Sequence, residues 1–369
     1  MLMREAAMFS PADYAFMSHA LQLAEKGLYT TSPNPRVGCV ITQNGHIVGS
    51  GWHKKAGQAH AEINALGQAG NAARGATVYV TLEPCSHHGR TPPCVDALIK
   101  AGVSRVVIAM EDPNPQVLGN GRAALEQANI SVQTGLLQEQ AQALNIGFVA
   151  RMRYRKPWMR LKIAASLDGK TALNNGQSQW ITGEAARIDG HRWRARSCAM
   201  MTGIGTILAD NARLSVRHIP TSRQPKKIII DNRMEIPLDA HVLQGEETFI
   251  FTTACADTDK IATLEKMGVQ VIICKQTNQD KIDLTGMIAT LADLEFNEIL
   301  VEAGSGLNGA LIRARLVDEL ILYMAPSLLG SSAKDMLQLP ELTNLDQKVL
   351  LKIKDVRMIG WDMRLIARL

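Results

Sequence analysis

Apolar positions along this chain follow two rhythms, a helical one and an alternating one. Residues 14–27 (YAFMSHALQLAEKG) carry apolar side chains at helical spacing, opened by Ser10-Pro11-Ala12-Asp13 and closed by Gly27. Residues 32–37 (SPNPRV) hold two prolines and are expected to form a loop. VGCVIT and HIVGSGWH flank Gln43-Asn44-Gly45, which predicts a hairpin. HAEINALGQAG reads as a helix with His60 and Glu62 in its first turn. ATVYVTLEP reads as a strand that delivers Cys85 at its C-terminal end. CVDALIKAG is a helix behind Pro93. A strand (RVVIAMEDPNP), a helix (GRAALEQANI) and a strand (ISVQTG) follow. The order β-β-α-β-α-β-α-β predicts an α/β layer architecture, with both cysteine- and histidine-bearing turns at helix starts on one end of the sheet.

An alanine- and glutamine-rich helix from Gln138 to Asn145 leads into the basic stretch GFVARMRYRKP, the expected domain boundary, giving domains 1–150 and 151–369. The second half is rich in strand-like apolar runs: LKIAASL, SCAMMTGIGTIL, KKIIID, ETFIFTT, VQVIIC, EILVEAG and ELILYMAP. A length of 369 residues fits two domains. With 4% aromatic residues and a net charge of +5, the chain suits anionic small molecules better than nucleic acid. Its six cysteines form no paired framework, which points to a reducing compartment and metal-binding thiols. The first residues lack the apolar core of a signal peptide, and no apolar run is long enough to span a bilayer. The expectation is a cytoplasmic enzyme without membrane association.

Chemistry concentrates between His60 and Cys94. A single His or Cys is more often a packed core residue than a ligand. Here His60, Cys85 and Cys94 can supply three tetrahedral ligands to Zn²⁺, leaving a fourth position for water, which marks a catalytic site. Glu62 stands two residues past His60, free to move protons for that water. His-x-Glu, Pro-Cys and a second Cys are the signature of zinc nucleobase deaminases. The usual two-residue gap between the cysteines is replaced by SHHGRTPP. Asn34 either starts a turn before Pro35 or touches substrate. His53, His87 and His88 are rim contacts or solvated loop residues.

In the second half Gly304-Ser305-Gly306-Leu307-Asn308-Gly309 fits GxGxxG between a strand and a helix, the context a pyrophosphate requires. The strand that follows ends in Ala325-Pro326, without the acid that holds a ribose hydroxyl in the Rossmann arrangement. The motif is therefore read as a dinucleotide phosphate loop on another α/β fold, with NADP favoured over NAD and Arg233 a candidate for the 2′-phosphate.

HAE followed by TLEPCSHHGRTPPC resembles the deaminase half of the bifunctional riboflavin-biosynthesis deaminase/reductase family. LKIAASLDGKTA, SQWITG, GIGTILADNARLSVR and VEAGSGLNGALI resemble that family's reductase half. The resemblance implies a cytidine-deaminase-like three-layer αβα domain followed by a dihydrofolate-reductase-like α/β domain. It implies Zn²⁺ on His60, Cys85 and Cys94, Glu62 as the catalytic acid/base, and Asn34 as a substrate contact. It implies NADPH contacts at Ala164, Trp180, Thr206, Asp210, Asn232, Gly304, Ser305, Gly306, Leu307, Asn308, Gly309 and Ala310, although Asn232 stands where a Ser is expected. Substrate contacts are implied at Lys162, Ser178, Arg194, Leu214, Arg217 and Glu302. Arg194 and Arg217 make sense as guanidinium forks for a substrate phosphate, or else as solvated surface arginines. Self-association through the reductase domain is also implied.

The expected activity is deamination of a diaminopyrimidine ribosylamine phosphate, then NADPH-dependent reduction of its ribosyl chain to ribityl. Two other readings fit parts of the sequence. One is a nucleic-acid-editing deaminase with a second binding domain, which the low aromatic content and mild charge disfavour. The other is a silent metal-stabilised regulator, in which Glu62 would have no reason to accompany the ligands.

Overall fold

The computed structural model describes residues 9–86, 92–115 and 117–369. The chain divides into two units, one ending at Tyr154 and one spanning Arg155–Leu369. The division falls inside the basic stretch GFVARMRYRKP, most of which is helix in the first unit, and position 150 lies inside that helix.

In the first unit, α1 (Pro11–Glu25) is capped reciprocally. Ser10 Oγ accepts the Asp13 N–H at 3.2 Å, and the Asp13 carboxylate accepts the Ser10 N–H at 2.8 Å. β1 (Gly38–Gln43) and β2 (His46–Trp52) form the expected hairpin. Its turn takes positive φ at Asn44 (48°) and Gly45 (77°), as two-residue hairpin loops require. Then come α2 (Ala61–Ala69), β3 (Thr77–Val80), α3 (Cys94–Ala101), β4 (Arg105–Ile108), α4 (Asn120–Gln127), β5 (Ser131–Thr134), α5 (Gln138–Leu144) and α6 (Ile146–Tyr154). The sheet order is β2-β1-β3-β4-β5, with β1 antiparallel to both neighbours and β3, β4 and β5 parallel.

Glycines set how closely helices approach this sheet. A Cβ on Gly38 would lie 1.9 Å from the Ala20 carbonyl oxygen of α1. Gly51 pairs with Cys39, the next residue along β1, and so points to the opposite face. A Cβ there would lie 2.4 Å from the Ala61 carbonyl oxygen at the start of α2. Helices therefore cover both faces, and the unit is a three-layer αβα domain.

β3 stops earlier than its apolar run suggests. It ends at Val80, so Cys85 sits on an irregular stretch and not at the strand end. Pro84 has no N–H to continue the ladder, and the Glu83 N–H makes a last bond to the Met110 carbonyl at 3.0 Å.

The second unit contains β6 (Trp158–Ser166), β7 (Lys170–Ala172), α7 (Glu184–Arg196), β8 (Ala199–Gly203), α8 (Ile204–Asp210), β9 (Lys226–Ile230), β10 (Thr248–Thr252), α9 (Thr258–Lys266), β11 (Gln270–Ile273), α10 (Leu284–Asp293), β12 (Glu298–Val301), α11 (Ser305–Arg313), β13 (Glu319–Ala325), β14 (Lys334–Asp335), β15 (Lys352–Ile359) and β16 (Asp362–Arg368). The large sheet runs β11-β10-β9-β8-β12-β6-β13-β16-β15. From β11 to β13 all neighbours are parallel, and β16 is antiparallel to β13 and β15. The run SCAMMTGIGTIL is not one strand: it breaks at Gly203 into β8 and α8.

Near-continuous apolar runs serve a sheet buried on both faces. Ile228, Ile230, Phe249, Phe251, Ile299 and Val301 join one core with Leu291 of α10 and Leu311 of α11. The alternate residues Ile229, Ile250 and Leu300 join the other with Ala186 of α7 and Leu264 of α9. Among the described residues no helix is long and apolar enough to cross a membrane.

Replacing Gly51 with Val should push α2 off the sheet. We expect a loss of about 2 kcal/mol in urea unfolding of the first unit, the cost of overpacking, with reduced metal content in the folded protein.

Candidate active sites

Two helix starts build the site in the first unit. His60 is the N-cap of α2, Glu62 lies in that helix's first turn, and Cys94 is the first residue of α3 behind Pro93. The stretch after β3 brings in Cys85, docked by the Cys94 N–H to its Sγ at 3.3 Å and the Val95 N–H to its carbonyl at 3.3 Å. His60 Nδ1 lies 3.3 Å from Cys94 Sγ and 3.6 Å from Cys85 Sγ. All three donor atoms fall within 4.8 Å of one another. Tetrahedral ligands at about 2.0–2.3 Å from Zn²⁺ stand roughly 3.5–3.8 Å apart, so one imidazole and two thiols at this spacing fit the ion. Glu62 is outside the donor set that converges there among the described residues.

The two thiols share one proton: one is held down and the other up. A hydrogen bond with the Cys94 side chain, aided by His60, holds Cys85 down at about 4 against the effect of burial. The pairing with Cys85, together with burial, pushes Cys94 up. Burial, reinforced by the Cys85 charge, raises Glu62 to about 7, close to the value a proton shuttle needs at neutral pH.

His53 is buried, not a rim contact. Its Nδ1 lies 3.2 Å from the Ala59 carbonyl, which makes Nδ1 the donor and leaves Nε2 to accept from Asn34 Nδ2 at 3.1 Å. The ring meets His60 edge-on at 5.4 Å. Asn34 is thus oriented by the site and does more than start a turn. His87 and His88 lie outside the described residues.

In the second unit, the residues implied as substrate contacts partly converge. Arg194 of α7 meets Glu302, just past β12, in a bidentate pair at 2.9 and 2.7 Å. Burial alone would raise Glu302, but Arg194 and then Lys162 outweigh it and hold the carboxyl at about 2. Burial, opposed by Glu302 and aided by Arg194, lowers Lys162. The Lys162 ammonium lies 5.8 Å from the Tyr323 ring centroid. A Cβ on Gly190 would sit 3.8 Å from Lys162 Cε. The Arg194 fork is therefore engaged by a carboxylate of its own chain and not held open for a phosphate. Arg217 is exposed, with Nη1 donating to Ser215 Oγ at 3.2 Å. Leu214 is buried in the left-handed conformation (φ 53°), and Ser178 is half-buried on a separate loop.

The GxGxxG stretch forms the start of α11, with Gly304 as N-cap and open space beside its Cα. Asn308 is buried; its Nδ2 donates to the Met336 carbonyl at 3.2 Å, and its Oδ1 has no partner among the described residues. A buried acceptor left unpaired beside an open helix start fits a bound cofactor that donates to it. Leu307 packs at Gly203, the N-cap of α8; Thr206 lies in the first turn of that helix and Asp210 is its last residue. Ala164 lies on β6, and Trp180 is 67% exposed beneath the Arg187 guanidinium at 4.6 Å. Asn232 is committed elsewhere: its Oδ1 accepts the Ile282 N–H at 2.9 Å and its carbonyl accepts the Thr253 hydroxyl at 2.8 Å. Arg233 beside it is exposed.

Comparison with known proteins agrees with this division. The family model described as RibD C-terminal domain matches residues 157–365. The one described as cytidine and deoxycytidylate deaminase zinc-binding region matches residues 10–110. The chain is similar to the riboflavin biosynthesis protein RibD of Escherichia coli (strain K12), at 46% identity over 364 residues, covering 95% of this chain and 98% of that one. It is similar in structure to Acinetobacter baumannii RibD (form 1), with TM-score 0.90, 42% identity, and coverage of 97% and 98%. A Thermotoga maritima diaminohydroxyphosphoribosylaminopyrimidine deaminase/5-amino-6-(5-phosphoribosylamino)uracil reductase matches with TM-score 0.85, 30% identity, and coverage of 97% and 98%.

The Glu302 pair sets an acid limit on the second unit. Its carboxyl is depressed from the usual 4.5 to about 2, so its contribution is complete above 4.5 and fades as pH falls towards 2. Glu302→Gln should cost about 3 kcal/mol at pH 7 by stranding Arg194, and should flatten stability against pH across that window in urea titrations.

Proposed function

The chain belongs to the RibD family of bifunctional riboflavin-biosynthesis deaminase/reductases, and from that premise we propose how its two units divide the work. The first unit deaminates 2,5-diamino-6-ribosylamino-4(3H)-pyrimidinone 5′-phosphate, and the second reduces the product's ribosyl chain to give 5-amino-6-ribitylamino-uracil 5′-phosphate. The observation that carries the first half is a single one. Three soft donors converge while the adjacent Glu62 stays outside the set, raised to about 7.

His60, Cys85 and Cys94 would hold Zn²⁺, which when bound would supply the Lewis acidity that makes water nucleophilic near neutral pH. Glu62 takes a proton from the attacking water and returns it to the departing amine. The ring carbon gains oxygen, its bond to nitrogen breaks, and ammonia leaves. Asn34, oriented by His53, holds the pyrimidine edge.

In the second unit NADPH supplies the hydride when bound. The residues of this chain position and exclude. The Gly304–Ala310 turn, with Asn308 Oδ1 buried and unpaired among the described residues, holds the cofactor together with Ala164, Thr206, Asp210 and the exposed Trp180. Asn232 takes part only through the part of its amide not bonded to Ile282. Lys162, Ser178, Leu214 and Glu302 face the pyrimidine and its ribosyl chain, and Arg217 takes the phosphate. Arg194 acts by fixing Glu302.

The partner surface is the outer edge of the large sheet. Among the described residues β15 has no neighbour on its far side, and it leaves Ile353 (60%), Val356 (51%) and Met358 (63%) exposed, beside Leu350 (74%) and Trp361 (85%). An exposed apolar edge strand of this kind is an association site, and we assign it to a second copy of the chain. The cell compartment that suits unpaired cysteine ligands is the reducing cytoplasm. The partners of the reaction are small molecules, with neither nucleic acid nor membrane involved.

Glu62→Gln should lower ammonia release by about 10³-fold or more while leaving zinc content and NADPH oxidation on the deaminated substrate intact. Cys94→Ala should lose zinc as well, read by elemental analysis. Val356→Asp with Met358→Asp should convert the assembly to monomers in light scattering.

A further inference from the structure

Between α8 and β9 the chain runs through Leu214–His218 without regular structure. Irregular backbone packed against the fold needs partners for its N–H and C=O groups, and here side chains supply them. The Arg194 guanidinium donates Nη1–H to the Ser215 carbonyl at 3.0 Å. Gln224 accepts the Val216 N–H at 2.7 Å and donates to the Val216 carbonyl at 3.0 Å, as a neighbouring strand would. His191 accepts the Arg217 N–H on Nδ1 at 3.1 Å. Three consecutive residues are thus held by three side chains. Two of those, His191 and Arg194, stand one turn apart on the same face of α7.

His191 is 5% exposed and takes no part in the chemistry described above. Because Nδ1 accepts, the ring proton must be on Nε2, and the ring must be neutral. The surroundings enforce that state: burial first, then Arg194, His218 and Arg217, hold the imidazolium down at about 3, with only Glu302 opposing. His218 packs edge-on against the ring at 4.6 Å.

We propose that His191 is a positioning residue of the reductase half, a neutral acceptor that with Arg194 and Gln224 locks Ser215–Arg217 so that Leu214 and Arg217 meet the phosphorylated pyrimidine. This rests on the reading of Leu214 and Arg217 as substrate contacts. The left-handed Leu214 (φ 53°) gives the lock a purpose, since an unheld segment would relax from that conformation. Arg194 connects the lock to Glu302, so one helix sets both the carboxylate and the arginine end of the substrate.

The test is steady-state NADPH oxidation by the full chain with the deaminated pyrimidine phosphate. His191→Leu removes the acceptor, and His191→Asn keeps an oxygen near the Nδ1 position. For His191→Leu we expect KM for the pyrimidine to rise about tenfold, the equivalent of one hydrogen bond left unmade, with kcat and the KM for NADPH each within about twofold. His191→Asn should recover most of the loss, and Gln224→Leu should reproduce it. Unchanged NADPH parameters certify that the unit is folded. An unmoved pyrimidine KM in His191→Leu and Gln224→Leu, or an equal rise in both KM values, would overturn the positioning role. Arg217→Ala separates the two readings: if it alone raises the pyrimidine KM, the lock is wrong and the substrate contact stands. If it too is silent, the contact reading is wrong and the lock falls with it.

Discussion

Both sites depend on one constraint: where the chain leaves regular structure inside the fold, its main-chain donors and acceptors must still find partners. In this protein polar side chains, several of them buried, supply them. Glu83, two residues before Cys85, accepts the N–H groups of Asp112, Gly119 and Arg122, each at 3.1 Å. Asn145 accepts the Arg36 N–H at 2.7 Å and donates to the Arg36 carbonyl at 2.9 Å, fixing the stretch that carries Asn34. Asp168 accepts from the N–H groups of Leu329 and Gly330. Such contacts let a loop present a functional group as rigidly as a helix would.

Charge is handled in the same way. Arg160, 2% exposed, is flanked by Glu298 and by Glu319 at 2.7 Å, and Arg196 reaches Glu298 at 3.0 Å. Arg364 and Tyr323 share the Asp189 carboxylate at 2.7 and 2.6 Å. Removing one member of such a group would leave the others charged and unpaired, which costs more than the group contributes when whole. The cluster of Lys162, Arg194 and Glu302 belongs to this pattern.

The sequence made the zinc site legible because its residues lie within one short span and at helix starts, where local chemistry decides geometry. The hairpin, the capped first helix and the parallel strands were readable for the same reason. Other features depended on partners far along the chain. Nothing local shows that Pro84 and the Glu83 contacts detach Cys85 from its strand, or that Gly203 splits an apolar run into β8 and α8. Arg194 looked like a phosphate fork because Glu302, which occupies it, is 108 residues away. His191 and Gln224 carry no motif at all; their partners are main-chain atoms, and main-chain atoms leave no trace in a sequence. The final hairpin of β15 and β16 was also missed, because its outer strand alternates exposed apolar with charged residues and so resembles a surface segment.

The strand order of the large sheet also governs how this chain comes into being. β6, the first strand of its unit to be synthesised, pairs with β12 and β13, which are made much later. Until residue 301 has left the ribosome, β6 has no neighbour, while β8 to β11 can already associate. The deaminase half has no such debt to the distal sequence, for all its strands lie before residue 135. Ribosome-bound chains should therefore carry a finished amino-terminal catalyst ahead of an unassembled sheet, whose exposed strands are the hazard of biogenesis.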